Sequence, residues 1–139
     1  MAFEISFFDH TADMGIRIAA TSREELVVGA IEGLYRAIGS LKGCGEPRDI
    51  AYELSGDDDA GLLRDLLTEI LFLFEHQKRI LAMPIVNEFA QGRLAIAGKT
   101  LAIDVAQSEY HREVKAVTYH ELTMMPVMDG WEATVIVDI

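Results

Sequence analysis

Residues 8–18 read FDHTADMGIRI, and this stretch decides how the start of the chain folds. An apolar, strand-like run ends at Phe8, and a second one begins at Met14. Between them stand His10 and Asp13, two side chains that a buried strand can hold only if they are exposed, paired or functional. The sequence therefore predicts two strands separated by a polar break, and the break needs a physical reason.

The composition describes a globular protein with an unusual charge. The 139 residues suffice for one domain, residues 1–139, with a single core. The formal net charge of −11 argues against direct binding to nucleic acid, because Lys and Arg carry phosphate binding. An excess of acid instead suits a protein that meets a basic partner, a cation or both.

Cysteine usage and hydropathy predict a cytoplasmic protein. Cys44 is the only cysteine, so no internal disulfide can form, as is usual in a reducing compartment. The first residues include an acid at Glu4 and lack the apolar core of a signal peptide. No apolar run reaches the length of about 18–20 residues that spans a bilayer, so we expect no membrane association.

Two amphipathic helices are predicted, each after a start signal. In SREE at 22–25 the serine can accept from the amide of the last glutamate, whose side chain can reach back, and an apolar stripe follows until Gly39. SGDDDAG at 55–61 precedes a second stripe, and its acids fit either a metal loop or, as we favour, a helix N-terminus. The residues expected to be buried on these stripes include Leu34, Leu66, Leu67 and Ile70.

Strands dominate the remainder of the sequence. The predicted strands are Phe3–Phe8, Met14–Ala20, Asp49–Leu54, Ile80–Ala90, Arg93–Val105, Glu113–Leu122 and Trp131–Ile139. QG at 91–92 and MDG at 128–130 are tight-turn signals, Pro126 favours an edge or bulge, and Leu41–Arg48 predicts a loop. The predicted fold class is α+β: two helices packed on a largely antiparallel, mixed β-sheet in a single domain.

Polar residues form three clusters that interrupt or end strands. They are His10, Thr11 and Asp13; Lys115, Thr118, Tyr119 and His120; and Asp138 beside the terminal Ile139. Oxygen donors from Asp13, Asp138 and a terminal carboxylate suit a hard cation, whereas the alternative is a pair of solvated acids at strand ends. The two histidines fit hydrogen-bonded structural roles as well as functional ones.

Motifs of catalysis are missing from the sequence. It contains no G-x-S-x-G or Ser-x-x-Lys nucleophile pattern, and no P-loop or G-x-G-x-x-G phosphate cradle. We therefore expect a protein that is not an enzyme.

Three stretches together resemble the archease family: FDHTADMGIRI, KAVTYHEL at 115–122 and GWEATVIVDI at 130–139. The resemblance covers essentially the whole chain and implies an accessory protein. Archeases act on the RtcB-type RNA ligase, which joins ends carrying a 3′-phosphate or 2′,3′-cyclic phosphate to a 5′-hydroxyl. They promote its guanylylation by GTP and its multiple turnover in tRNA splicing and RNA repair.

The resemblance also implies a divalent-cation site and a set of activating residues. Carried over by position, the metal ligands are Asp13, Asp138 and an oxygen of Ile139, and the ion is Ca²⁺, with Mg²⁺ or Mn²⁺ as alternatives. The residues implied in partner binding or activation are Lys115, Thr118 and His120, together with His10 and Thr11, which would hold the local turn. An acidic protein of this kind would bind basic surfaces of the ligase and not RNA itself.

Two other functions remain as alternatives. The first is a chaperone-like modulator of another RNA-modifying enzyme, such as a tRNA methyltransferase, whose oligomeric state it would control. The second is a small metal-dependent hydrolase that uses Asp13, Asp138 and His10. Stimulation of ligase turnover would favour the ligase cofactor, and phosphodiesterase activity, which we do not expect, would favour the hydrolase.

Overall fold

The computed structural model describes residues 2–10 and 12–139, with the backbone alone at His10. Within this part of the chain the elements are β1 (Phe3–His10), β2 (Asp13–Ala20), α1 (Arg23–Ile38), β3 (Gly39–Ser40), β4 (Gly43–Ser55), α2 (Asp59–Gln77), β5 (Arg79–Ala90), β6 (Arg93–Ile103), β7 (Glu109–Tyr110), β8 (Ala116–Val117), β9 (Thr123–Val127) and β10 (Gly130–Asp138).

The strands form three sheets, and every pairing among the described strands is antiparallel. The largest sheet has the order β1-β2-β10-β8, with β9 also paired to β10. The second contains β3 and β7, and the third has the order β4-β6-β5. The α+β prediction is confirmed, with the expected mixed sheet divided into three antiparallel ones.

The polar break near the start of the chain is a hairpin turn. β1 continues to His10 and β2 begins at Asp13, and these two residues are direct partners across the strands. Ala12 in the turn has φ 61°, in the left-handed region where a tight reversal places it. The strands therefore reach further into the break than predicted, while Thr11 lies outside the described residues.

Helix α1 begins with half of the predicted capping box. The Ser22 hydroxyl accepts from the Glu25 amide at 3.1 Å, as expected. The Glu25 carboxylate does not return to the cap; it accepts from the Ala2 amide at 3.0 Å and the Thr21 hydroxyl at 3.2 Å. Glu25 therefore links Ala2 to the first turn of α1. The prediction that its side chain reaches back to the cap residue was wrong.

Two glycines let α1 lie close to the β1–β2 hairpin. A Cβ at Gly29 would come 2.8 Å from Cγ2 of Ile18, and one at Gly33 would come 2.9 Å from Cγ2 of Ile16. These distances are too short for real carbon atoms, so any larger residue would push the helix away from the sheet.

Helix α2 confirms the capping interpretation of the acidic segment. Asp58 is the N-cap, and its carboxylate accepts from the Gly61 amide at 3.2 Å. Asp59 lies in the first turn, where a negative charge faces the positive end of the helix dipole. The helix ends at Gln77, and Lys78 follows with φ 55°.

The three-stranded sheet begins earlier than predicted. β4 starts at Gly43 inside the predicted loop Leu41–Arg48, and its pairing with β6 is interrupted by a bulge between Cys44 and Arg48. Pro47 is tolerated because a bulged residue need not donate to the ladder. The loop prediction was wrong there because pairing with β6 outweighs the local turn composition.

The predicted strand Glu113–Leu122 was wrong in extent. Only Ala116–Val117 pair with β10, because β9 occupies the same edge of β10 over Gly130–Thr134. The rest of the segment is irregular and is held by individual hydrogen bonds.

The β9–β10 hairpin forms where MDG predicted it, with β9 as an edge strand. Its two-residue turn is Met128–Asp129, and Asp129 carries the positive φ of 68°. Gly130 already pairs with Val127, and a Cβ there would lie 2.1 Å from the Ala20 carbonyl oxygen. This glycine therefore permits a close strand approach, while aspartate supplies the turn.

One hydrophobic cluster joins both helices to the sheets. It includes the four residues expected to be buried, Leu34, Leu66, Leu67 and Ile70, each at most 1% exposed. Among the described residues, neither helix has the length and hydropathy of a membrane span.

Truncating Leu66 to Ala should destabilise the protein by about 2–5 kcal/mol, because it leaves a cavity between α2 and the sheets. Urea unfolding followed by circular dichroism measures this. Met128→Ala is the control, since Met128 is 90% exposed and its loss should change the free energy of unfolding by less than about 0.5 kcal/mol. Equal effects from the two variants would contradict the assigned core.

Candidate functional site

The two acids from opposite ends of the chain meet at one edge of the largest sheet. Asp13 begins β2 and Asp138 ends β10, and the register makes them direct partners. In an antiparallel pair such partners have Cβ atoms about 4.5–5.5 Å apart on the same face. The structure thus brings together two residues that sequence spacing alone could not place.

The end of β1 completes this edge. His10 is the other strand partner of Asp13, so the ends of three strands converge here. The side chain of His10 and the whole of Thr11 lie outside the described residues, and their predicted roles in holding the turn stay predictions.

The Asp13 carboxyl changes the acidity of its partner Asp138. A hydrogen bond with the Asp13 side chain raises the pKa of Asp138, and lost hydration and the Asp13 charge add to the rise. The charge of Lys115 acts in the opposite direction. Two carboxyls in this arrangement either share a proton or gain from a cation that offsets their repulsion.

Lys115 is held beside the pair by the main chain. Its amide donates to the Asp138 carbonyl oxygen at 2.8 Å, directly before β8 pairs with the end of β10. The side chain is exposed and also lines a groove of about 900 Å³ that includes Phe74 and Tyr110. Lys115 thus stands between the acid pair and a partly apolar groove.

Thr118 fixes the next part of the segment. Its amide and its hydroxyl both donate to the Ile136 carbonyl oxygen, at 3.0 and 2.9 Å. The same hydroxyl accepts from the His120 amide at 3.2 Å. Thr118 therefore holds this segment in position, and its hydroxyl makes hydrogen bonds to two groups of the protein itself.

His120 extends towards solvent. Its side chain is 56% exposed, and Nε2 lies 4.0 Å from a carboxylate oxygen of Glu121. Backbone and hydroxyl contacts place it next to Thr118, while the acid pair is formed by β2 and β10.

Arg64 of α2 clamps this segment, and sequence reasoning missed it. Its Nε donates to the Val117 carbonyl oxygen at 2.9 Å, and Nη1 donates to the Tyr119 hydroxyl at 3.1 Å. The guanidinium also lies over the Tyr119 ring, 4.2 Å from its centroid. No local sequence pattern predicts this contact, because Val117 and Tyr119 lie more than fifty residues from Arg64 in the chain.

The donor set at the edge fits a hard cation but does not fill its coordination shell. Among the described residues, no group of three His, Cys, Asp or Glu side chains is arranged to hold a metal. Asp13 and Asp138 supply two carboxylates, and Ile139 can add only main-chain or terminal oxygens. Since Ca²⁺ takes six to eight oxygen ligands, water or a partner would have to supply the others.

Comparisons with known proteins find similarity over nearly the whole chain. The model of the Archease protein family matches residues 5–139. The protein archease of Methanosarcina barkeri is 30% identical over 140 residues, covering 98% of this chain and 96% of that protein.

Two solved structures are similar in fold. Protein 1598 of Methanobacterium thermoautotrophicum has a TM-score of 0.74 at 25% identity, and 99% of each chain is covered. An archease of Thermotoga maritima, described as a possible chaperone, has a TM-score of 0.71 at 22% identity, with 95% of this chain and 94% of that one covered.

Replacing Arg64 by Gln should loosen the segment that carries Lys115 and Thr118. We expect the amides of these two residues to exchange hydrogen at least about tenfold faster, because their bonds to β10 lose the support of α2. Hydrogen exchange followed by NMR measures this. The matched control is Arg36→Gln, which removes an exposed ion pair with Glu32 on α1. Unchanged exchange in the Arg64 variant would show that the clamp is dispensable.

Proposed function

Because the chain belongs to the archease family, we propose that it is the accessory protein of an RtcB-type 3′-phosphate RNA ligase. It promotes GTP-dependent guanylylation and multiple turnover of that enzyme in tRNA splicing and RNA repair. An accessory role agrees with the relatives, which are named archease or possible chaperone and not as catalysts. The supporting observation is the direct pairing of Asp13 with Asp138, with Lys115 held beside them.

The charge of the protein supports an enzyme as the partner in preference to RNA. A net charge of −11 repels phosphate backbones, whereas a ligase that binds RNA and GTP must carry basic grooves. Complementary charge speeds encounter and fixes orientation. We place this protein in the cytoplasm, where such a ligase would work.

A divalent cation at the acid pair is part of the proposal. Asp13, Asp138 and an oxygen of Ile139 would hold it, and the oxygen-only donor set favours Ca²⁺, Mg²⁺ or Mn²⁺. The ion would supply positive charge where two carboxylates otherwise repel each other. The protein's own contribution is to hold both acids on paired strands, so that little ordering is required on binding.

The neighbouring residues have separate roles in this proposal. Lys115 presents an exposed ammonium next to the acids, suited to a phosphate or carboxylate of the ligase active site. His120 offers a further contact at the same surface, and Thr118 keeps the segment in position. His10 and Thr11 are assigned to the turn that precedes Asp13.

The chaperone-like alternative has one observation in its favour. The β9–β10 hairpin exposes Met125, Val127 and Met128, which are 45%, 42% and 90% exposed. Flexible methionine-rich surfaces adapt to apolar patches on other proteins. A modulator of a tRNA methyltransferase would use this hairpin and would not depend on the acid pair.

The cation proposal predicts that Asp13→Asn weakens binding of Ca²⁺ or Mn²⁺ at least about tenfold, because one of two carboxylate ligands is lost. Isothermal titration calorimetry compares this variant with the native protein. Asp129→Asn is the control, since it removes an acid at the far hairpin and asparagine accepts its φ of 68°. Equal affinities of the native and Asp13 variants would remove Asp13 from the site.

The ligase proposal predicts that Asp13→Asn and Asp138→Asn each abolish stimulation of guanylylation. The double variant should be little worse than either single one, since each already disables the shared site. Removing residues 138–139 should have the same effect with the fold retained, although it also deletes the acceptor of the Lys115 amide. Asparagine at 138 keeps that carbonyl and is the cleaner test.

Multiple-turnover ligation by the cognate ligase, with the accessory protein substoichiometric, is the readout. Circular dichroism confirms folding of each variant. Native stimulation by the Asp138 variant would reject the acid pair as the working site. If the native protein leaves the ligase unchanged but alters the oligomeric state of a tRNA methyltransferase, and Met128→Ser removes that effect, the chaperone-like function is supported. Cleavage of a simple phosphodiester by the native protein would support the hydrolase.

A further inference from the structure

A buried cation stands apart from the acid pair. Arg79, at the start of β5, is only 7% exposed, although arginine is almost never fully buried without a partner. Nε donates to the Thr100 hydroxyl at 2.9 Å, and Nη2 donates to the Thr100 carbonyl at 2.8 Å and to the Glu46 carbonyl at 3.4 Å. All three acceptors are neutral.

The charge of Arg79 has no carboxylate within ion-pair distance in the described part of the chain. The N–H groups of Nη1 likewise have no acceptor there. Nη1 is not among the fully enclosed nitrogens that lack a hydrogen-bond acceptor, which within the described residues are Nε and Nη2 of Arg23. Nη1 of Arg79 therefore borders open space.

A cavity of about 320 Å³ lies between β4 and α2. Arg79 and Thr100 line it from the sheet, and Phe72 and Gln77 line it from the helix. Arg48 of β4 also lines it, and this residue is exposed and lies directly opposite Thr100 in the β4–β6 pairing. Two arginines therefore line the same cavity, one of them exposed and the other buried.

The β-bulge of β4 creates this arrangement. The register shift between Cys44 and Arg48 leaves the intervening residues unpaired, including Gly45 with φ 80°. This frees the Glu46 carbonyl to accept from Arg79 and brings Arg48 into line with Thr100. Backbone geometry thus places both arginines at one cavity, which their positions in the sequence do not indicate.

Two acids, Asp49 and Glu69, also line the cavity. Asp49 is engaged by Lys99. Glu69 of α2 contributes a negative charge that partly opposes the two arginines. Burial and the Glu69 charge raise the pKa of Tyr52 above its ordinary value. Its hydroxyl, protonated at neutral pH like that of any tyrosine, can act as a donor.

We propose that this cavity binds a phosphate group, either free phosphate or the phosphoryl end of a small monoester, through Nη1 of Arg79 and the guanidinium of Arg48. Phosphate oxygens match the planar N–H groups of arginine and would supply the missing negative charge. Gln77 and Tyr52 add neutral donors in the same cavity. This site shares no residue with Asp13, Asp138 or Lys115 and does not rest on the ligase proposal.

Binding of inorganic phosphate to the native protein, followed by NMR titration in neutral Tris buffer, tests the proposal. We expect saturable shifts at the amides of the cavity-lining residues. Arg48→Gln should weaken binding about tenfold, since it removes a charged donor from a residue that does not support the fold. Glu69→Gln should strengthen binding a few-fold, because it removes the opposing charge. Lys42→Gln, which removes an exposed cation outside the cavity, should change nothing.

Arg79→Lys keeps the charge but loses the arginine fork, and it should weaken binding at least about tenfold if the protein stays folded. Glycerol 3-phosphate identifies the source: tighter binding than phosphate assigns a monoester, and equal or weaker binding assigns the free ion. Either result supports the site. Absence of saturable binding at about 10 mM phosphate, or equal affinities for the native, Arg48 and Glu69 proteins, would overturn it and leave Arg79 a structural anchor of the bulge.

Discussion

The ladder between β2 and β10 is the interaction on which the rest of the structure depends. It pairs Asp13–Ala20 with Trp131–Asp138 in continuous register and so ties the beginning of the chain to its end. Ile16, Ile18 and Val135 lie within this ladder and are buried against the helices. A slip of one residue would turn every one of these side chains to the other face.

The same ladder makes the candidate functional site. Asp13 and Asp138 are neighbours because they are the last pair of the register, and Asp138 is exposed while Asp13 is half-buried. A group that brings positive charge to this edge would relieve the repulsion between the two carboxylates. The neighbouring Lys115 is positioned by the hydrogen bond from its main-chain amide to the Asp138 carbonyl oxygen. This bond fixes the backbone from which the exposed Lys115 side chain extends.

Helix α2 positions the irregular segment 113–122, of which only Ala116–Val117 pair with β10. β9 uses most of the outer edge of β10, so the chain before it forms only two strand pairs there. Arg64 replaces the missing ladder by holding Val117 and Tyr119 from α2. A side chain on a rigid helix can thus order a loop near a site without contacting the site itself.

The sequence by itself determined the features that depend on local chemistry. Ser22 and Asp58 cap helices, apolar periodicity marks the buried faces, and MDG marks a hairpin, because each of these involves residues close in the chain. The acids were recognisable as candidates, but only the strand register made them neighbours. Tertiary structure alone decided the bulge of β4, the short β8 and the burial of Arg79 against Thr100. Each arises from competition between distant segments for the same strand edge or the same acceptor, and no local pattern records the outcome of that competition.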